Sequence, residues 1–320
     1  MKNLFIAIIL TFSTIGTGCF AQTGDMPIKS QTFRVNGNTD YINVMGDSMP
    51  VIPQFPTVAK KVGYVRGYVK DIFGQPIAGA KLGLKSARMY DSYIANSAET
   101  DAKGYYEIKI PTGGARFDYA GFTIKYSRGS AALGLHPADG SLSESYPAST
   151  GGVENFVMLP YGIGDAEGVS QNAKYRGNYY GGTLMLKYFI APPAQSSDGF
   201  SNMLVAGSEI VIALKPISVI GDGNNFTNAF VIHKKVEDSS LGEFFICNVP
   251  IGRYEISVLQ ANGKPLRLKQ RNPTNSVFGI QPVETTESAQ LIFNPLSADA
   301  KTAVASRGNW TDLEIIVERP

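Results

Sequence analysis

Residues 65–82 read VRGYVKDIFGQPIAGAKL and contain the clearest structural pattern in the chain. Up to Val69, apolar and polar residues alternate, which is typical of a strand with one buried face. Gly74 and Pro76 then mark a tight turn, and the alternation resumes over residues 80–85. This stretch therefore predicts two short strands joined by a turn.

The same pattern continues along the chain, and helical periodicity is not convincing anywhere in it. Residues 99–108 read ETDAKGYYEI, a polar turn in which Gly104 can take a positive φ, followed by a strand. The sequence therefore predicts an all-β protein built as β-sandwiches. Further strands are predicted at residues 105–111, 122–126, 155–159, 183–189, 208–214, 242–249, 254–258 and 312–318.

Residues 65–82 and 99–108 together resemble the carboxypeptidase regulatory-like domain, a family common in exported proteins of Bacteroidetes-type bacteria. The resemblance is specific over residues 62–110. Over residues 178–320 it keeps a Gly-x-Phe/Tyr strand and a Pro-x-Gly-x-Tyr turn but not the opening Val-x-Gly-x-Val signature. The resemblance implies a small transthyretin-like (prealbumin-like, Ig-like) β-sandwich. It also implies a non-catalytic module that spaces, stabilises or presents other domains, or that binds partners and glycans.

The length of 320 residues and the hydrophobic content of 43% are sufficient for two domains, each with its own core. The fold class that we predict is two tandem transthyretin-like β-sandwich domains after a signal peptide and an extended leader. The predicted boundaries are a signal peptide at 1–21, an extended leader at 22–60, a carboxypeptidase regulatory-like sandwich at 61–160, a linker at 161–177 and a second sandwich at 178–320.

The first residues have the pattern of an export signal. A short basic start precedes an apolar run from Leu4 to Ile15, which is too short to span a bilayer. Cleavage before Gln22 would release a soluble protein, whereas lipidation of Cys19 would hold the protein at a membrane surface. We expect an exported protein in the periplasm, at the cell surface or outside the cell, with an outer-membrane lipoprotein as the alternative.

Charge limits the partners that the sequence predicts. The chain carries 29 Lys and Arg against 27 Asp and Glu, a net charge of +2, which provides no strong field for nucleic acid or anionic lipid. We predict no nucleic-acid partner and membrane contact only through a lipid on Cys19. We expect a monomer that binds a protein partner in the envelope or a polysaccharide.

Few residues have the chemistry of a catalytic or metal site. His136 and Asp139 imitate a His-x-x-Glu spacing, but Pro137 blocks a regular backbone, and His233 lies in the other predicted domain. Cys247 lies in an apolar run, so we predict a buried thiol. The prediction is a protein that is not an enzyme, with no catalytic residue, no metal site and no cofactor.

Aromatic side chains are the remaining candidates for a binding site. Tyr175, Tyr179 and Tyr180, interleaved with Arg176, could stack on sugar rings or contact a partner, as could Trp310. The alternative is that they fill strands, as tyrosines do in β proteins.

The function that the sequence predicts is an exported, non-enzymatic cell-envelope module that scaffolds or binds a protein partner. The alternative is a glycan-binding accessory protein of a polysaccharide-utilisation system. A hydrolase with an unrecognised site is the least favoured hypothesis.

Overall fold

A computed structural model describes residues 30–87, 93–111, 113–126, 128–141, 144–191, 201–217, 229–274, 277–303 and 308–320. The predicted signal peptide and Cys19 lie outside these residues. About half of the described residues are in strands, and α1 (Ala166–Gln171) is the one α-helix among them, with 3-10 turns at Arg176–Asn178 and Ala300–Thr302. The prediction of an all-β protein is confirmed.

Every strand predicted from the sequence overlaps an observed strand. In chain order the strands are β1 (Ser30–Val35), β2 (Tyr41–Asn43), β3 (Tyr64–Asp71), β4 (Lys81–Ala87), β5 (Tyr93–Glu99), β6 (Tyr105–Lys109), β7 (Gly114–Tyr126), β8 (Gly129–Gly134), β9 (His136–Pro137), β10 (Tyr146–Pro147), β11 (Gly152–Val153), β12 (Phe156–Met158), β13 (Gly182–Ala191), β14 (Leu204–Val205), β15 (Glu209–Pro216), β16 (Ala229–Lys235), β17 (Leu241–Val249), β18 (Tyr254–Gln260), β19 (Arg267–Gln270), β20 (Gly279–Gln281), β21 (Ser288–Ile292) and β22 (Leu313–Glu318).

Two of the four sheets that these strands form contain only strands between residues 64 and 158. One has the order β10-β7-β4-β5, with β8 also on β7, and the other has the order β11-β3-β12-β9, with β6 also on β3. The Phe117 ring on β7 contacts Phe156 on β12 edge-on at 4.9 Å and Tyr106 on β6 at 6.3 Å. The two sheets therefore face each other across a shared aromatic core.

Two glycines of residues 65–82 and 99–108 are required by their surroundings, and Gly104 has the positive φ that the sequence predicts. A Cβ on Gly67 would lie 1.7 Å from the carbonyl oxygen of Glu154, so β3 can approach this segment only without a side chain. Gly104 has a φ of +72°, and a Cβ there would lie 2.4 Å from the carbonyl oxygen of Val69.

The other two sheets contain the strands after residue 182 together with β1 and β2. Their orders are β1-β16-β15-β18-β21-β20 and β19-β22-β13-β17-β2, with β14 also on β13. The buried faces of β15 and β18 alternate with outer residues, as the period of a strand requires. One cluster of buried apolar residues extends through all four sheets.

The segment predicted as an extended leader, residues 22–60, contains two strands that the sequence analysis missed. β1 runs parallel to β16, and β2 runs parallel to β17. Both therefore belong to the sheets of the second half of the chain. This correction has a simple physical reason: a strand at a sheet edge is specified by a partner far away in sequence, and such a partner leaves no local periodicity.

The two pairs of sheets are in direct contact. The backbone N–H of Ala132 donates to the carbonyl of Ser297 at 2.8 Å, and that of Gly134 donates to Oδ1 of Asn309 at 2.8 Å. The rings of Tyr126 and Phe278 meet edge-on at 5.4 Å. Among the described residues, no helix has the length and apolar character that crossing a bilayer requires.

Candidate functional site

Three carboxylates meet at the edge of the first pair of sheets. One carboxylate oxygen from each of Asp139, Glu144 and Glu154 lies within 4.8 Å of the other two. Glu154 is only 4% exposed, whereas Asp139 and Glu144 are at the surface. We call these three residues the carboxylate cluster.

Backbone pairing holds Glu154 in place. It follows β11 directly, and its N–H donates to the carbonyl of Arg66 on β3 at 3.0 Å. Its own carbonyl accepts a hydrogen bond of 2.7 Å from the Tyr106 hydroxyl. With the backbone held on both sides, the side chain reaches the Tyr146 hydroxyl on β10.

The Tyr146 hydroxyl joins two members of the carboxylate cluster. It lies 2.5 Å from Oε2 of Glu154 and 3.3 Å from Oε2 of Glu144. A tyrosine hydroxyl carries one proton, so both contacts are hydrogen bonds only when one of these carboxyls is itself protonated. The geometry therefore favours a shared proton within the cluster.

Burial determines the direction in which the pKa of the Glu154 carboxyl is shifted. Loss of solvation raises the pKa of Glu154 to about 7, and the nearby Asp139 and Glu144 act in the same direction, while the hydrogen bond from Tyr146 opposes them. Burial beside Glu154 also raises the pKa of Tyr146. Chemically, such an oxygen-only group can hold a proton or contact a hard cation.

Sequence reasoning singled out only Asp139 of this cluster. His136, its predicted companion, is not a member. The one local signal for Glu154 is a carboxylate inside a run of small and apolar residues, GGVENFV at 151–157. Glu144 and Tyr146 carry no signal, because their proximity depends on the pairing of β10 with β7.

Three of the four aromatic candidates are buried. Tyr179, Tyr180 and Trp310 are 1%, 0% and 2% exposed, so their rings do not reach solvent where a sugar could stack on them. Tyr175 is 50% exposed, and the Arg176 guanidinium lies 5.5 Å from its ring centroid. In this structure only Tyr175 is accessible for the predicted contact.

The buried aromatics form a junction instead. The Tyr180 hydroxyl and Nδ1 of His136 on β9 are 2.8 Å apart, and the indole N–H of Trp310 donates to the Tyr180 carbonyl at 2.9 Å. Burial lowers the pKa of His136, so the neutral imidazole that can accept from Tyr180 is favoured. The structure thus brings together three residues that are remote in sequence and ties the two pairs of sheets to each other.

The remaining candidates are separate from both groups. His233 lies on β16 with its Nδ1 at 2.9 Å from Oε1 of Glu209. Cys247 on β17 is fully buried, which confirms the prediction, and burial raises the pKa of its thiol to about 12. Lipidation at Cys19 lies outside the described residues.

The fold and these sites define an all-β protein of several packed sheets, with a buried aromatic junction and a carboxylate cluster of which only Glu154 is buried. No family model matches the chain, and no curated protein matches it. The resemblance to the carboxypeptidase regulatory-like domain therefore stays a prediction.

Solved structures show distant similarity. The TIE protein of Bacillus anthracis is 13% identical with a TM-score of 0.31, over 81% of this chain and 34% of that one. The major pilin of Streptococcus pyogenes is 9% identical with a TM-score of 0.24, over 82% and 99%. The shaft pilin of Lactobacillus rhamnosus is 10% identical with a TM-score of 0.19, over 80% and 98%. This chain spans about a third of the length of the TIE protein. At such scores nothing about those proteins transfers to this one.

Proposed function

We propose that the protein is an exported, non-enzymatic module of the cell envelope that scaffolds or binds a protein partner. One observation supports this most: residues that the sequence offered for chemistry or for sugar binding act as structural ties. His136 bonds to the Tyr180 hydroxyl and Trp310 bonds to the Tyr180 carbonyl, across the two pairs of sheets.

The proposed architecture is two tandem transthyretin-like units. Strands within residues 64–158 pair only with one another, and so do strands within 182–318, apart from the added β1 and β2. This pairing supports predicted boundaries near 61–160 and 178–320, with the difference that residues 30–43 complete the second unit. Export rests on the basic start and apolar run before Gln22, or on a lipid at Cys19.

Chemical cross-linking of intact host cells, followed by mass spectrometry of the captured peptides, tests the scaffold role. We expect cross-links from exposed lysines such as Lys60 to an envelope protein. Cross-links confined to cytoplasmic proteins would contradict the proposal. Turnover of peptide or ester substrates that is lost in His136→Ala would contradict the non-enzymatic part of it.

Glycan binding is the second candidate, and the exposed Tyr175 with its Arg176 neighbour is the observation that favours it. An exposed ring beside a cation is a suitable platform for a sugar. Calorimetry with a panel of polysaccharides should then show binding that Tyr175→Ala abolishes. Phe73→Ala, which removes another exposed ring, is the matched control and should leave binding unchanged.

A further inference from the structure

Residues 30–45, which we call the strap, cover the edges of two different sheets. β1 pairs with β16 from Ser30 opposite Ala229 to Val35 opposite Lys234. After a short turn, β2 pairs with β17 from Tyr41 opposite Phe245. Both strands stand at the ends of their sheets. Without the strap, the β16 and β17 edges would present unpaired backbone groups.

The strap also supplies part of the hydrophobic core. Val35 and Val44 are buried in the cluster that runs through the sheets, and Phe33, Ile42 and Met45 pack against it. The strap is therefore bound by side chains as well as by backbone hydrogen bonds, as an extended peptide is bound in a strand-accepting groove.

A buried ammonium group recognises the turn between the two strap strands. Nζ of Lys234 donates to the carbonyls of Asn36 at 3.2 Å and Gly37 at 2.8 Å, and it lies 3.5 Å from a carboxylate oxygen of Glu237. Lys234 is fully buried. The ammonium also donates to the Lys235 carbonyl at 3.0 Å, so without the strap it would keep that partner and Glu237 but lose two of its three carbonyls. Because a buried charge with fewer partners is costly, the groove favours a chain that brings carbonyls to this point.

Polar contacts at the far end of the strap go to the same half of the chain. Nζ of Lys174 lies 2.6 Å from a carboxylate oxygen of Asp40, and Nδ2 of Asn248 donates to Oδ1 of Asn43 at 3.1 Å. Among the described residues, the hydrogen bonds and ion pairs that join the strap to strands and loops elsewhere all end on residues 174–248. The strap can therefore leave without breaking a sheet of residues 64–158.

The chain between the strap and β3 permits such a departure. Residues 46–60 form no strand, and their backbone is held to β3 through the Lys70 and Arg66 side chains, which bond to the carbonyls of Gln54 and Ala59. Once these two hydrogen bonds and the packing of Ile52 and Phe55 against the core are broken, the segment spans up to about 50 Å when fully extended. That length is sufficient to reach a neighbouring molecule of similar size.

We propose that the edges of β16 and β17 form an acceptor groove that also takes the strap of a second copy of this chain, so that copies can join by strand exchange. Every copy carries the matching segment, so the complementarity seen within one molecule exists between molecules. At low protein concentration each groove is occupied by the strap of its own chain, because a tethered strap has a high effective concentration. Exchange should therefore increase where copies are crowded. The inference goes beyond the scaffold role and does not depend on where the protein resides.

A nicked full-length chain tests the groove. A protease site inserted between Thr57 and Val58 is cut after folding, the N-terminal fragment that carries the strap is removed by chromatography in mild urea, and a fluorescent peptide of residues 30–45 is added at increasing concentration. We expect saturable binding to the cut protein and little binding to the uncut protein. The peptide with Val35→Asp and Val44→Asp should bind about 100-fold more weakly or worse. A peptide with Thr32→Gln, which changes an exposed position, is the matched control and should bind like the natural one.

The result that overturns the groove is a cut protein that keeps its circular dichroism and binds neither peptide, or binds both equally. If the cut protein unfolds, refolding with the natural peptide should restore its spectrum, whereas restoration by the Asp-containing peptide would overturn the proposal.

Exchange between copies needs a separate test. One full-length variant carries Val35→Asp and Val44→Asp, which damage its strap, and the other carries Lys234→Glu, which damages its groove. We expect a 1:1 complex on light-scattering chromatography only when the two are mixed. A mixture that elutes as the sum of its components would overturn exchange, even if the groove binds the free peptide.

Discussion

At the scale of single residues, Glu154 is the clearest case of a carboxyl group whose surroundings oppose its usual ionised form. It is a carboxyl group with little exposure, next to two other carboxyls and one tyrosine hydroxyl. Burial and like charge both favour its protonated form. The carboxylate cluster is therefore most compatible with the fold when it retains a proton.

Glu154 should make stability depend on pH. Its folded pKa of about 7 lies above the usual value of 4.5, so its contribution is fully present below pH 4.5 and is lost as the pH rises through 7. The loss should be up to about 3 kcal/mol. Urea unfolding from pH 4 to pH 8 should show it in the natural protein and not in Glu154→Gln, which keeps an acceptor for Tyr146.

His136 is present in both the natural protein and Glu154→Gln, so its opposite contribution to the pH dependence cancels when the two profiles are subtracted. Burial lowers the pKa of His136, so the stability it contributes is present above pH 6.5 and is lost as the pH falls. The exposed substitution Glu287→Gln is the control and should reproduce the natural profile. Equal pH profiles for Glu154→Gln and the natural protein would contradict the assignment.

Gly67 allows β3 to pass close to the segment that carries Glu154. Gly67→Ala would place a Cβ 1.7 Å from the Glu154 carbonyl oxygen, so the backbones must move apart. We expect a loss of about 3 kcal/mol or more in the free energy of unfolding, measured by urea titration. Gly114→Ala, where the nearest atom to the new Cβ is 3.4 Å away, should cost far less. Similar losses for both would refute the close approach.

At the scale of elements, the strap shows where sequence reasoning stops. β3, β13 and β22 were predicted because they alternate over many residues and pack on one face. β1 and β2 were not, because their partners lie about 200 residues away in the chain. The two-residue strands such as β9 and β14 are likewise products of tertiary packing.

The same distinction explains the candidate site. The inward position of Cys247 followed from its apolar neighbours, whereas the Tyr180 contact with His136 needs the two pairs of sheets to be in place. The sequence around Tyr179 and Tyr180 is equally compatible with rings that face the solvent and with rings that face the core. The sequence therefore left both alternatives open, and the packing decides between them.

Lys234 should stabilise the strap as a whole against local unfolding. Lys234→Met removes the ammonium and leaves the carbonyls of Asn36 and Gly37 without it. We expect a loss of about 3 kcal/mol and faster hydrogen exchange in residues 30–45, with the amides of β3 and β6 unchanged. Lys235→Met, at the exposed neighbouring position, is the control and should leave hydrogen exchange in the strap unchanged. Uniformly faster exchange in all four sheets after Lys234→Met would contradict a local effect of Lys234 on the strap.

At the scale of the whole molecule, two pairs of sheets are joined by a polar junction and one continuous core. The junction consists of buried groups that satisfy one another, which fixes the relative position of the two parts. Such a junction is compatible with the proposed scaffold role.

Tyr180→Phe tests the junction. It removes the hydroxyl that meets Nδ1 of His136 while keeping the ring, so we expect a loss of about 1–2 kcal/mol in calorimetric stability. Tyr175→Phe, at the surface, should change the melting temperature little. A Tyr180→Phe protein as stable as the natural one would show that the contact does not tie the parts together.

Export to the envelope, as proposed, would leave a trace at the N-terminus of the protein. Mass spectrometry of that N-terminus, after host cells have been separated into cytoplasmic and envelope fractions, tests it. We expect a processed protein in the envelope or the medium, beginning at Gln22 or at a lipid-bearing Cys19. An unprocessed chain that begins at Met1 and is confined to the cytoplasm would contradict it.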